Sequence, residues 1–310
     1  MPRLSGIIPP VSTPFTADLD IDEASLRRLV DHLVEGGVHG LFALGSTSKV
    51  YALPAGHRRR VAEIVCDQAA GRVPVLAGVI DMTPLRVRDH VAQLRDLPLA
   101  GLVVTAPYYV LVGPGEVENH FRAVKEAVPD LPLYAYDIPA CVGGTKLSAD
   151  LLLRLGAEGV LAGVKDSSGA DAATRKLLLA RRAARLDDFV VLSGSELTAD
   201  AALFDGADGV VPGLANVDPR GYVRLYELCR AGDWEQARVE QERLCGLFAV
   251  AEAANGRVGG GSAGHGGFKA ALEWLGVFES GRMAPPAVAL DDTERKRIYD
   301  TLVTAHLLAG

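Results

Sequence analysis

The chain has 310 residues, 49% of them hydrophobic and 23% charged, with a net charge of −7 and a pI near 5.5. These values are ordinary for a globular enzyme and lack the basic footprint of a nucleic-acid binder. No apolar run approaches the roughly 20 residues that span a bilayer, and the N-terminus lacks the h-region of a signal peptide. Cys66, Cys141, Cys229 and Cys245 form neither a CxxC pair nor a zinc-like cluster. The expectations are free thiols, a cytoplasmic location, no membrane partner, and either two domains or one extended α/β barrel.

Short apolar runs return about every thirty residues, the size of one strand–helix unit. They begin near Gly6, Leu41, Val73, Leu102, Leu131, Val160, Phe189 and Gly209. Amphipathic stretches lie between them. In the first, Leu26, Leu29, Val30, Leu33 and Val34 keep one helical face, with Asp22 placed as N-cap. Others run over 54–69, 83–96, 115–128, 148–155, 170–186 and 196–204. Eight buried strands alternating with helices imply a parallel sheet covered by helices, and eight is the number that closes a (β/α)8 TIM barrel. An open doubly wound sheet is the alternative. The barrel is expected over residues 1–217 and a C-terminal helical extension over 218–310, with helices at 233–253 and 291–308. The glycine-rich run from Gly256 to Gly267 follows a helix rather than a strand, so it reads as a mobile surface loop and not as a phosphate fingerprint.

In a barrel of this kind the C-terminal ends of the strands form the active-site face. Strand two ends in Gly45-Ser46-Thr47-Ser48, strand four in Pro107-Tyr108-Tyr109, strand five in Tyr136-Asp137-Ile138-Pro139, and strand six in Lys165. Burying an ammonium group favours its neutral form, an amine able to attack a carbonyl and open Schiff-base chemistry. Lys165 is the candidate nucleophile. The N–H groups and hydroxyls of Ser46 and Thr47 suit a substrate carboxylate. A phenol hydrogen-bonded to Ser46 or Thr47 is placed to pass protons, and Tyr136 is the candidate. Each feature also has a plain structural reading: a solvated strand-end lysine, a helix-capping turn, a core tyrosine, and interface aromatics at Tyr108 and Tyr109. The seven histidines fall mostly in helices and loops, which argues against a metal-dependent aldolase.

With these residues in view, the chain resembles the dihydrodipicolinate synthase/N-acetylneuraminate lyase family of pyruvate-handling barrel enzymes. The resemblance spans nearly the whole chain. It rests on Gly40-Leu41-Phe42-Ala43-Leu44-Gly45-Ser46-Thr47, Tyr136-Asp137-Ile138-Pro139 and Gly163-Val164-Lys165-Asp166, with support from Ser193-Gly194 and from Gly206 to Val211. It implies a Schiff-base lysine at Lys165, a proton-shuttling tyrosine at Tyr136 and a carboxylate pocket at Ser46 and Thr47. It also implies a relay through Thr47 and a Tyr109 lent across a dimer interface. Gly194, Val211, Cys141 and Glu196 become candidate substrate-binding positions, Glu196 for a hydroxyl. The implied assembly is a homotetramer built as a pair of dimers, acting on pyruvate or a 2-keto-3-deoxy acid with no metal or organic cofactor.

The chain also departs from that pattern. Thr47 is followed by Ser48-Lys49 where the family continues Gly-Glu, which points to backbone strain or a shifted loop, with Lys49 read as a solvated loop lysine or a replacement cation. Cys141 stands where dihydrodipicolinate synthases carry an arginine for the second substrate's carboxylate. The segment between Tyr136 and Lys165 is one residue longer, near Gly143-Gly144, and Gly213 occupies a serine position of the sialic-acid lyases. The expected function is therefore a class I aldolase for 2-keto-3-deoxy sugar acids. A dehydratase on the same substrates, dihydrodipicolinate synthase itself, and a non-catalytic pyruvate-binding protein are the alternatives.

Overall fold

The computed structural model describes residues 3–309. Eight short strands carry the core: β1 (Gly6–Ile7), β2 (Leu41–Ala43), β3 (Val75–Gly78), β4 (Gly101–Thr105), β5 (Leu133–Asp137), β6 (Gly163–Asp166), β7 (Val190–Ser193) and β8 (Gly209–Val210). All pair in parallel with their neighbours, and β8 pairs with β1. The seam between β1 and β2 is closed by a parallel bridge, Pro10 to Phe42. There the Phe42 N–H donates to the Pro9 carbonyl and the Val11 N–H to the Phe42 carbonyl, each at 2.9 Å. The sheet is thus a closed (β/α)8 barrel. Every strand residue is buried, as expected when side chains fill the interior and helices cover the outside.

The covering helices are α1 (Glu23–Glu35), α2 (Ala55–Ala69), α3 (Pro84–Leu94), α4 (Pro114–Ala127), α5 (Ala149–Ala157), α6 (Asp171–Ala183), α7 (Ala199–Asp205) and α8 (Pro219–Ala231). Their boundaries are chemical. Asp22 caps α1 by accepting the Ser25 N–H at 3.0 Å, and Leu26, Leu29, Val30 and Leu33 are buried beneath it. Ser148 and Asp218 do the same for α5 and α8. Four further helices follow: α9 (Trp234–Leu247), α10 (Ala249–Glu252), α11 (Gly260–Trp274) and α12 (Asp292–Thr304). Among the described residues no helix is long and apolar enough to cross a membrane.

The glycine-rich run is not a surface loop beyond Gly259. Gly260 to Gly267 form the first turns of α11, and Ala263, Gly266 and Gly267 are buried. Glycine disfavours helix in isolation, but here it lets two helices touch. A Cβ on Gly267 would fall onto the Val250 carbonyl of α10, whereas one on Gly264 would meet nothing closer than 3.9 Å. Close approach of α10 therefore overrides propensity. Gly267→Ala is expected to cost about 1–3 kcal/mol through overpacking. Gly264→Ala should stabilise by about 0.5–1 kcal/mol. The two midpoints in a urea titration should move in opposite directions.

Candidate active site

Parallel register decides which side chains meet inside the barrel. Tyr136 on β5 lies directly opposite Lys165 on β6, with Thr105 beyond Tyr136 on β4 and Leu192 beyond Lys165 on β7. Lys165 is 6% exposed. Its Nζ stands 4.2 Å from the centre of the Tyr136 ring and 5.1 Å from that of Phe42, which reaches in from β2. The two rings meet edge to face at 6.2 Å. The amine is thus held against aromatic faces that attract its cationic form, in a site largely withdrawn from water.

The Tyr136 hydroxyl is 3.5 Å from the Ser46 Oγ, so the phenol and the turn after β2 face one another. That turn is built by the Ser48 N–H donating to the Gly45 carbonyl at 3.1 Å and the Lys49 N–H to the Ser46 carbonyl at 2.9 Å. Among the described residues the N–H groups of Ser46 and Thr47 donate to no protein acceptor, which leaves them for a ligand. Ser48 carries no strain. It is fully buried and its Oγ donates to the Val11 carbonyl. The left-handed conformations fall on either side, at Leu44 and Lys49, both with φ of 59°.

Lys49 is not a solvated lysine. It is 1% exposed, its Nζ donates to the Tyr51 hydroxyl at 3.0 Å, and burial pushes its ammonium down to about 8. The charge of Lys49 reaches two residues of α11. Lys269 is fully buried there, and burial together with the field of Lys49 holds its ammonium well below the usual lysine value. His265 is pushed down to about 3 by burial and by the charges of Lys49, Lys269 and Lys165. None of these α11 residues was singled out from sequence. The available signal was Lys269 itself, a charge inside the run Phe268-Lys269-Ala270-Ala271-Leu272.

At the other side of the mouth, the Gly194 N–H donates to the Asp166 carbonyl and the Val211 N–H to the Ser193 carbonyl, both at 2.7 Å, so both residues border the tip of β6 or β7. Glu196 follows. Its Oε1 accepts the Leu214 N–H at 2.9 Å. Burial raises its carboxyl, while the Leu214 and Gly213 N–H groups and the Lys165 charge pull the other way. Gly213 is what admits that carboxylate, since a Cβ there would lie 2.8 Å from Glu196 Oε1 and 2.8 Å from Phe268. A cavity of about 460 Å³ lined by Ser167, Gly194, Glu196 and Phe248 opens between α6 and α7, and neither Lys165 nor Tyr136 lines it. Cys141, in the turn after β5, is exposed but lies within the field of Lys165, which opposes the upward push of burial on its thiol.

Two acidic residues next to the central pair form a clamp. Asp137 follows Tyr136 and Asp166 follows Lys165, and each side chain points away from the barrel interior. Lys146 pairs with Asp137 and lies 3.6 Å from Asp166. Asp137 also accepts the Leu147 N–H, and Asp166 accepts from the Ser168 N–H and the Thr174 hydroxyl. The clamp ties the tips of β5 and β6 together. By contrast Tyr109 stands apart from this group. It is 91% exposed, in a left-handed conformation, beside exposed Val110 and Leu111.

The Dihydrodipicolinate synthetase family model matches residues 3–305. An uncharacterized DapA-like lyase of Halobacterium salinarum is 35% identical over 306 residues, covering 98% of this chain and 95% of that protein. A 4-hydroxy-tetrahydrodipicolinate synthase of Methanopyrus kandleri is 31% identical over 294 residues, 94% of this chain and 93% of that one. Among solved structures, YagE of E. coli K12, a prophage protein of the dihydrodipicolinic acid synthase family in complex with pyruvate, superposes with a TM-score of 0.91 at 29% identity, covering 98% of this chain and 99% of that chain. Dihydrodipicolinate synthase from Bacteroides thetaiotaomicron gives 0.90 at 31%, over 98% and 100% of the two chains. With a match over almost its full length and a barrel of the same kind, the chain belongs to the dihydrodipicolinate synthetase family.

Proposed function

We propose that the protein is a Schiff-base lyase that cleaves or forms a carbon–carbon bond beside a pyruvate-derived iminium, with a 2-keto-3-deoxy sugar acid as substrate. The observation that carries this reading is the convergence of Lys165, Tyr136 and Ser46 in one withdrawn site. The pyruvate held by the structural relative YagE supports the choice of keto acid.

The chemistry follows from the positions. The substrate carboxylate is received by the N–H groups of Ser46 and Thr47. The Lys165 amine adds to C2, and loss of water gives the iminium. In the cleavage direction the Tyr136 oxygen takes the proton of the C4 hydroxyl, and the electrons of the C3–C4 bond flow into the iminium. An aldehyde leaves and an enamine remains. Protonation at C3 and hydrolysis then release pyruvate and regenerate the amine. Thr47 relays the proton beyond Tyr136, and Tyr109 of a second copy completes that relay in a homotetramer, a role that its exposure and that of Val110 and Leu111 supports. No organic or metal cofactor is assigned to any step. Relatives named 4-hydroxy-tetrahydrodipicolinate synthase favour that reaction as the alternative, but Cys141 stands where the family resemblance places an arginine.

Incubation with pyruvate and borohydride should fix a three-carbon adduct on the peptide containing Lys165, read by mass spectrometry, and Lys165→Ala should abolish it. Label on another lysine, or none, would count against the reading. A panel of 2-keto-3-deoxy acids scored for released pyruvate then tests the substrate class, since elimination of water without pyruvate release would mark a dehydratase instead. Tyr136→Phe should lower kcat by about 10²–10⁴-fold, the usual worth of a general acid/base, with a much smaller change in KM.

A further inference from the structure

Two buried amines near the mouth lack a carboxylate to answer them. Among the described residues neither Lys49 nor Lys269 has an Asp or Glu within ion-pair distance. Lys269 Nζ donates to the Arg282 carbonyl at 3.0 Å and lies 4.2 Å from the centre of the Phe15 ring. His265, on the same helix, has a buried Nδ1 with no partner. A buried cation without a counter-ion is costly, and such groups gather where a ligand supplies the missing charge.

The bond from Lys49 to Tyr51 gives the Lys49 charge an outlet. An ammonium group only donates, so the Tyr51 oxygen must be the acceptor. The phenol's own proton is then free to turn away from Lys49, and Tyr51 is 58% exposed. Burial and the neighbouring Cys141 hold the phenol above its ordinary value, so it keeps its proton and can donate it to an anion. Tyr51 lies in the short turn Val50–Ala52 that directly continues the Ser46-Thr47 turn after β2, on the mouth face of the barrel.

We propose that Tyr51, backed by Lys49, receives a carboxylate or phosphate at the end of the substrate remote from the carbon attacked by Lys165, so that the substrate carries a second anionic group. Tyr51 touches that group, whereas Lys49 is a positioning residue that orients the phenol. The proposal rests on the Schiff-base reading above and narrows its substrate class.

Pyruvate addition to a set of aldehydes tests it: neutral glyceraldehyde, glyoxylate and succinic semialdehyde as carboxylates, and glyceraldehyde 3-phosphate. One anionic acceptor should exceed the neutral one by about 10- to 100-fold in kcat/KM, the worth of a hydrogen bond to a charged group, mostly through KM. The favoured arm identifies carboxylate or phosphate. Tyr51→Phe, at an exposed position that should fold, and Lys49→Met should both erase the preference. In the unsubstituted enzyme the preference should fade as pH rises through about 8, where Lys49 loses its proton. The groups facing Lys49 are Tyr51 from its own turn and Lys269 and His265 from α11, and His265, already neutral at that pH, does not contribute to the change. Equal use of neutral and anionic acceptors, or Tyr51→Phe lowering both equally, overturns the proposal while borohydride trapping at Lys165 still upholds the lyase. Absence of trapping overturns both.

Discussion

Parallel pairing of β5 with β6 sets Tyr136 beside Lys165, and the rest of the site is organised around that one register. A slip of either strand by one residue would turn its side chain to the helix layer and part the pair, because side chains alternate along a strand. The residues that follow them, Asp137 and Asp166, point outward for the same reason and are joined by Lys146. One pairing therefore specifies both an apolar aromatic interior around the amine and a charged clasp on the outside. The chemistry needs the first to be dry and the second to be rigid.

Much of this was legible in the residues. Eight apolar runs at regular spacing located the strands, and the polar groups at their C-terminal ends located the mouth. What could not be read was burial contributed by distant parts of the chain. Lys49 sits among serines and a threonine and resembles any loop lysine until the fold buries it, close enough to Lys269 and His265, more than two hundred residues later, for its charge to act on them. The glycines of α11 argue against helix on local propensity and become helical only because α10 presses a backbone carbonyl where a side chain would be. Lys146 lies in a segment whose only distinguishing sequence feature is its length, and its role depends on two acids 9 and 20 positions away in opposite directions. Departures from the family pattern were visible as letters, but their meaning was not. Ser48 proved to be an ordinary buried hydroxyl with a carbonyl partner, and the unusual backbone belongs to its neighbours.

The electrostatics of the mouth are asymmetric. On the α11 side, Lys49, Lys269 and the His265 Nδ1 are buried without acids, while on the β7 side the Glu196 carboxylate accepts the Leu214 N–H within the field of Lys165. A substrate lying between them meets the Lys49 ammonium on one side and a hydrogen-bond acceptor on the other. Gly213 keeps that second wall in place, because any side chain there would displace the Glu196 carboxylate or Phe268.

Phe42 belongs to two structures at once. Its backbone makes the bonds that join β1 to β2, and its ring is one of the two surfaces against which the reacting amine rests. That junction is a single bridge where the other strand pairs form ladders, so it is where the cylinder parts most readily. A breach there would loosen the aromatic floor beneath the amine while the seven ladder pairings stayed intact. Loss of turnover can thus precede loss of the fold, with the enzyme falling silent before it melts.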